Sequence, residues 1–159
     1  MLSENRAVAA LRVFLVVLFA ILVVFQTLSL PGQFRHQAEV NPADADLRWP
    51  ATFVAGFVVL CIQVVVVSTW MLLTMVKRDR IFTPAATFWV NLIIGAIGGV
   101  WLVVGVIFLY VGIHADDPGL PMVLLLLEVV ITVLGLLMVV MRALLQRATT
   151  LRTDMEAVI

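Results

Sequence analysis

A single charged stretch interrupts the apolar middle of the sequence, and it reads Lys77-Arg78-Asp79-Arg80-Ile81-Phe82-Thr83-Pro84. Its three cations are strongly hydrated and costly to move into hydrocarbon, so we expect the stretch to stay on the cytoplasmic side of a membrane. Thr83-Pro84 is typical of a helix start, because a threonine hydroxyl can accept a backbone N–H and proline suits the first helical position. The stretch therefore divides the chain into two helical hairpins.

The composition is that of an integral membrane protein. The 159 residues are 64% hydrophobic and 13% charged, with a mean hydropathy of +1.17, whereas a soluble domain is about half apolar and about a quarter charged. The formal net charge of +0 gives no overall field that would attract nucleic acid, so we expect no direct nucleic-acid binding. The single cysteine, Cys61, excludes an intramolecular disulfide.

Four apolar runs predict an all-α bundle of four transmembrane helices, because each is long enough to cross a hydrocarbon core of about 30 Å. We place the spans at about 7–30, 51–76, 87–113 and 120–141, followed by a cytoplasmic amphipathic tail at 142–159. Polar residues from Gln33 to Pro50 predict a loop between the first two spans, and residues 114–119 predict a tight turn between the last two. We therefore expect one membrane domain over residues 1–159.

The distribution of basic residues predicts the orientation. Of the ten Lys and Arg residues, only Arg35 and Arg48 lie on the side that also carries the acidic loops. Those loops contain Glu39, Asp44, Asp46, Asp116 and Asp117. Basic residues accumulate on the cytoplasmic side of membrane proteins, so both termini are expected in the cytoplasm.

Glycine and polar or aromatic residues recur every seven positions on the second and third spans. The third span has Asn91, Gly98, Gly105 and Gly112 at a spacing of seven residues. It also has a small-xxx-small pair, Gly95 and Gly99. The second span has Gly56, Gln63 and Trp70, also seven residues apart. Glycine stripes allow close approach of helices in lipid, so we expect these two stripes to pack against each other. A ligand groove along the glycines is the alternative interpretation.

Glu128 is the candidate for a functional residue within the membrane. An ionised carboxylate is expensive in hydrocarbon, so the side chain should face the bundle or a wet cavity. Thr132 shares its helix face, and Gln63 lies at a comparable depth. Two interpretations are open: a polar clamp between helices, or a role in proton or cation handling or ligand binding. The candidate binding residues are Glu128, Gln63, Thr132 and Asn91.

The tail carries an apolar stripe at steps of four and three, formed by Leu144, Ala148, Leu151, Met155 and Val158. This pattern predicts an amphipathic helix that lies on the inner leaflet or packs against a partner helix. On a continuous helix the stripe lies opposite Glu128. The candidate cytoplasmic partner face consists of Lys77, Arg78, Arg80, Arg147 and Arg152.

The sequence shows no catalytic pattern. The sequence has no glycine-rich phosphate loop, no paired catalytic acids and no Ser/His/Asp arrangement. His36 and His114 lie near acidic residues, but without the tight spacing of metal ligands. We therefore expect no catalytic residues, no metal, no cofactor and no enzymatic activity.

The four-span layout, the loop Arg78-Asp79-Arg80-Ile81-Phe82-Thr83-Pro84 and the tail Leu151-Arg152-Thr153-Asp154-Met155-Glu156-Ala157-Val158-Ile159 resemble the bacterial membrane proteins of domain-of-unknown-function family 2975. The resemblance covers nearly the whole chain. It implies a multi-pass protein of the bacterial plasma membrane, and it implies a cytoplasmic helix-turn-helix regulator as a partner. It assigns no catalytic residue.

The sequence favours a non-enzymatic membrane interaction or regulatory protein that acts through its basic inner loop and tail. The lipid bilayer, a second copy of the chain and a helix-turn-helix regulator are the candidate partners. The alternative is a small oligomeric transporter or channel subunit that uses Glu128.

Overall fold

The computed structural model describes residues 2–158; Met1, Ile159 and the side chains of Leu2 and Asp44 lie outside the described part. The helical elements are α1 (Leu2–Val24), a π-helical turn (Phe25–Ser29), α2 (Leu30–Val40), a 3₁₀ helix (Pro42–Leu47), α3 (Arg48–Lys77), α4 (Pro84–His114) and α5 (Gly119–Val158). Among the described residues, four segments are long and apolar enough to cross a membrane: Ser3–Val40, Ala45–Lys77, Pro84–His114 and Gly119–Val158. The prediction of an all-α multi-pass membrane protein is confirmed.

The sequence predicts that the first span ends in a loop, but in the structure it continues as a helix. Pro31 lacks an N–H and its ring clashes with the carbonyl four residues earlier, so a proline inside a helix requires a local change in hydrogen bonding. The π turn Phe25–Ser29 provides that change directly before it, with the Leu30 N–H donating to the Phe25 carbonyl. The helix then continues to Val40, so the prediction that residues from Gln33 onward form a loop is wrong.

Contacts divide the chain into two compact units, Met1–Val66 and Val67–Ile159, and the boundary falls within α3. In the first unit, Leu15, Leu30 and Val59 are buried. The Gln26 side-chain amide donates to the Gly56 carbonyl at 3.4 Å. The second unit contains the end of α3, the loop at 78–83, α4 and α5.

The end of α3 is closed by a left-handed residue. Asp79 has a φ of 54°, a conformation that aspartate tolerates better than most residues. Its N–H donates to the Val76 carbonyl at 3.1 Å, and the Arg80 N–H reaches back to the Met75 carbonyl at 2.8 Å. This pair of bonds is a Schellman cap, which satisfies carbonyls that the helix leaves free and turns the chain toward α4.

Helix α4 begins at Pro84 as predicted, but Thr83 does not cap it with its side chain. The Thr83 hydroxyl donates to the Arg80 carbonyl at 2.7 Å, so the expected hydrogen bond from a backbone N–H to this hydroxyl is absent. Thr83 itself is extended, with φ −125° and ψ 157°, because a residue that precedes proline avoids the helical region. The hydroxyl therefore stabilises the loop rather than the helix.

Helices α4 and α5 pack antiparallel along their lengths. A series of half-buried residues on α5 recurs at alternating steps of three and four: Pro121, Leu124, Glu128, Ile131, Gly135, Met138, Arg142, Leu145, Thr149 and Arg152. A repeat of 3.5 residues keeps one helix face against its neighbour, as in a coiled coil. On α4 the buried residues are Ala86, Val90, Ile93, Ala96 and Val104.

Candidate functional site

Glu128 faces α4 at its middle. A Cβ atom added to Gly105 would lie 3.2 Å from the Glu128 Oε1 atom, so the absence of a side chain at Gly105 leaves room for the carboxyl group. The Oε2 atom is buried and has no hydrogen-bond partner among the described residues. A buried oxygen without a partner is costly, and such an atom requires an explanation in a folded protein.

Thr132 lies one turn from Glu128 but makes no hydrogen bond to its carboxyl group. Its hydroxyl donates to the Glu128 backbone carbonyl at 2.8 Å and accepts the indole N–H of Trp101 at 2.9 Å. The second bond joins α5 to α4 within the apolar region. Hydrogen bonds of this kind hold membrane helices together, although each contributes only about 0.6 kcal/mol on average.

Three of the four candidate binding residues, Asn91, Glu128 and Thr132, lie in the second unit, and Asn91 is far from the other two. Glu128 and Thr132 are adjacent on α5. Asn91 lies 14 residues before Gly105 on α4, about 21 Å along the helix axis. Gln63 lies on α3 in the other compact unit, where it is half-buried. Within the second unit, the residues that surround Glu128 come from α4 and α5.

The predicted packing glycines differ in their surroundings. The stripe was expected to face the second span, but Gly105 lies against α5, at Glu128. A Cβ at Gly56, Gly95, Gly98 or Gly112 would meet no atom within 4 Å; Gly99 is half-buried. Gly135, which we did not assign to packing, would place a Cβ 3.3 Å from Ile97 Cγ2. A seven-residue spacing identifies a helix face without identifying which neighbour covers it.

The basic loop and the tail meet at Arg152. Its Nη2 atom lies 3.5 Å from Asp79 Oδ2, and its guanidinium carbon lies 5.6 Å from the centre of the Phe82 ring. Its Nε atom lies 3.6 Å from Glu156 Oε1. These contacts are exposed to water, so each is weak, at about 1 kcal/mol or less. Together they join two segments that are 73 residues apart in sequence.

The rest of the predicted partner face is open to solvent or lipid. Lys77, Arg78, Arg80 and Arg147 are exposed. Leu144, Leu151, Met155 and Val158 of the tail stripe are exposed as well. Helix α5 continues through the predicted end of the span at residue 141 without a break and is 40 residues long, or about 60 Å.

The sequence did not indicate three residues that shape the surroundings of Glu128 and the contact between the basic loop and the tail. Trp101 bonds Thr132, Gly135 lies at the close approach of α5 to Ile97, and Asp79 combines a left-handed backbone with an ion pair. The only available signals were weak ones, a tryptophan in midspan and a short loop whose single acid lies between arginines. None of these signals specifies a partner.

The family model described as "Protein of unknown function (DUF2975)" matches residues 32–159. No curated protein and no solved structure matches the chain significantly. The matched region includes α3, α4, α5 and the Asp79–Arg152 contact described above. Because this match covers most of the sequence, and because the fold is the expected set of four apolar helices, the chain belongs to the DUF2975 family of membrane proteins.

Proposed function

We propose that this protein is a non-enzymatic interaction or regulatory protein of the bacterial plasma membrane. Its interaction surface is formed by the loop at 78–83 together with the end of α5. The observation that carries the proposal is the position of Arg152, which contacts Asp79 and Phe82 of the loop from within the tail. A ligand bound at either segment would therefore contact or displace the other.

The chemistry of this surface suits a protein partner. Exposed cations at Lys77, Arg78 and Arg80 lie beside a helix end whose apolar residues Leu151 and Met155 are exposed. A partner that buries those apolar residues and supplies acidic side chains would complement both features. A cytoplasmic helix-turn-helix regulator and a second copy of the chain are the two partners we propose to test.

The test is cross-linking in native membranes followed by purification of the tagged full chain. Three forms are compared: wild type, Leu151→Asp/Met155→Asp, and Glu128→Gln. We expect Glu128→Gln to retain the cross-linked partners of the wild type, and the tail variant to lose them. Identical partners in all three forms, or loss only in Glu128→Gln, would overturn the proposal.

One observation favours the alternative of a transporter or channel subunit. The buried, unpaired Oε2 atom of Glu128 could accept a hydrogen bond or coordinate a cation if a path reached it. This function would make Glu128→Gln inactive in flux assays while the tail variant stayed active. The two proposals therefore predict opposite responses from the same pair of variants.

A further inference from the structure

A groove of about 600 Å³ opens between the first turns of α4 and the distal part of α5. Its polar and aromatic lining comes from Thr87, Phe88 and Asn91 on one helix and from Gln146, Thr149 and Thr150 on the other. No charged residue lines it. The groove lies about 20 Å along α4 from Gly105 and is therefore distinct from the Glu128 region.

The hydrogen-bonding groups of the groove are only partly used. The Thr149 and Thr150 hydroxyls donate to the backbone carbonyls of Leu145 and Gln146 at 2.8 and 3.0 Å. The side-chain amides of Asn91 and Gln146 make no hydrogen bond to any group that the structure describes. Each amide offers two N–H donors, so the groove presents four donors to a ligand with acceptor oxygens.

An unpaired cation lies one helical turn away. Arg142 precedes Gln146 by four residues on the same face of α5, and it is half-buried. Its Nε atom is buried without a hydrogen-bond partner. No described carboxylate lies within 4 Å of its guanidinium. A guanidinium partly withdrawn from water is stabilised by an anion, and none is provided by the described chain.

The depth of the groove indicates which anion is available. Helix α4 has 31 residues and is about 46 Å long, which exceeds a hydrocarbon core of about 30 Å. Asn91 lies seven residues, or about 10 Å, from the start of α4. A hydrocarbon core of about 30 Å centred on α4 would begin about 8 Å from the start of the helix, so Asn91 would lie near the boundary with the headgroups, where phospholipid phosphates are concentrated.

We infer that this groove binds the phosphate group of an anionic phospholipid, with Arg142 as counter-ion and the amides of Asn91 and Gln146 as donors. Arginine pairs with phosphate through parallel charge-assisted hydrogen bonds, and polar groups between transmembrane helices add headgroup specificity. The inference does not depend on the proposed protein partner, because its residues are separate from the Arg152 contacts.

The experiment measures phosphatidylglycerol retained by the full-length protein after extraction from mixed phosphatidylglycerol and phosphatidylcholine bilayers, by native mass spectrometry. Two variants test the site: Arg142→Gln removes the charge, and Asn91→Leu/Gln146→Leu removes the amides at exposed positions where folding is least affected. The matched control is Gln33→Leu/Gln37→Leu, which removes two amides from a separate groove on α2. We expect Arg142→Gln to lower retention about tenfold, and the control to leave it unchanged.

Competition with millimolar inorganic phosphate distinguishes the source of the phosphate group. Displacement of phosphatidylglycerol by inorganic phosphate would support the site and assign it to free phosphate, whereas resistance to displacement would assign it to the lipid. Equal retention by wild type and both site variants would overturn the inference. An equal loss in the α2 control would overturn it as well, because retention would then depend on surface polarity in general.

Discussion

Asp79 both ends helix α3 through its backbone conformation and contacts Arg152 through its side chain. Its left-handed conformation completes the Schellman cap of α3, and its carboxylate lies 3.5 Å from the Arg152 guanidinium. The side chain of Asp79 is 85% exposed, so the ion pair contributes little to stability. We therefore attribute more of the importance of this position to backbone conformation than to charge.

A comparison of Asp79→Gly with Asp79→Ala separates these two contributions. Both variants remove the carboxylate, but only glycine adopts the left-handed conformation without a steric penalty. We expect Asp79→Ala to be less stable than Asp79→Gly by about 1 kcal/mol in thermal or denaturant unfolding in detergent. Equal stabilities would show that the conformation of Asp79 is not what limits this turn.

Glu128 is expected to tolerate loss of its charge better than reversal of it. Glu128→Gln keeps a polar side chain of the same size beside Gly105, so we expect a small change in melting temperature in detergent. Glu128→Lys places a longer cation where Oε2 is now buried, and we expect a loss of about 3 kcal/mol or more. The control is Asp154→Lys, an exposed charge reversal on the same helix. If both lysine variants melted at the same temperature, Glu128 would not be constrained by α4.

At the scale of elements, the pairing of α4 with α5 organises the second unit. The contacts Ile97–Gly135, Trp101–Thr132 and Gly105–Glu128 fall at successive turns, as an antiparallel pair requires. Helix α5 is apolar on nearly all sides of its span, and lipid solvates those sides as well as a neighbouring helix would. Close packing at small residues and a few polar contacts therefore determine which face meets α4.

This packing predicts unequal effects of the same substitution at two glycines. Gly135→Leu would push against Ile97 and separate the helices, with loss of dispersion contacts on both sides. Gly98→Leu would extend into space where a Cβ meets no atom within 4 Å. We expect Gly135→Leu to lower the melting temperature in detergent more than Gly98→Leu does. The reverse order would mean that Gly98, rather than Gly135, lies at the principal helix contact.

At the scale of the whole molecule, charge asymmetry predicts the topology. Eight of the ten Lys and Arg residues lie on the side of the loop at 78–83 in the predicted topology, whereas five of the ten acidic residues lie in the loops of the opposite side and only four lie on the basic side. Insertion places basic loops in the cytoplasm because their translocation is unfavourable. The same distribution would bring the Arg152 contacts and the proposed phosphate groove to the cytoplasmic face.

The topology is tested by single cysteines in a Cys61→Ala background, labelled in intact cells with a membrane-impermeant reagent. We expect labelling at positions 39 and 117, and protection of positions 80 and 156 until the membrane is opened. The open-membrane sample is the control for reactivity at each position. Labelling of position 80 in intact cells would reverse the orientation and remove the cytoplasmic surface from the proposed function.

The sequence alone determined the class of the protein and the number of its long helices. Four apolar runs, separated by charged or proline-containing segments, leave few alternatives to a multi-pass helical protein, because unpaired backbone groups are not tolerated in hydrocarbon. Pro84 likewise marked the start of α4, since its missing N–H costs nothing there. The same reasoning gave a wrong prediction at Pro31, where the helix continues because a π turn directly before the proline changes the hydrogen bonding. The local sequence does not distinguish a helix that ends at a proline from one that continues past it.

Only the tertiary structure decided which side chains meet. Glu128 lies against Gly105, Thr132 accepts a bond from Trp101, and Arg152 reaches Asp79 across 73 residues of sequence. In water the apolar face of a helix reveals its buried side, but in lipid every apolar face is already solvated. The sequence of a membrane helix therefore predicts that it spans the bilayer, while the neighbour of each face follows from shape and from the few polar groups that must find partners.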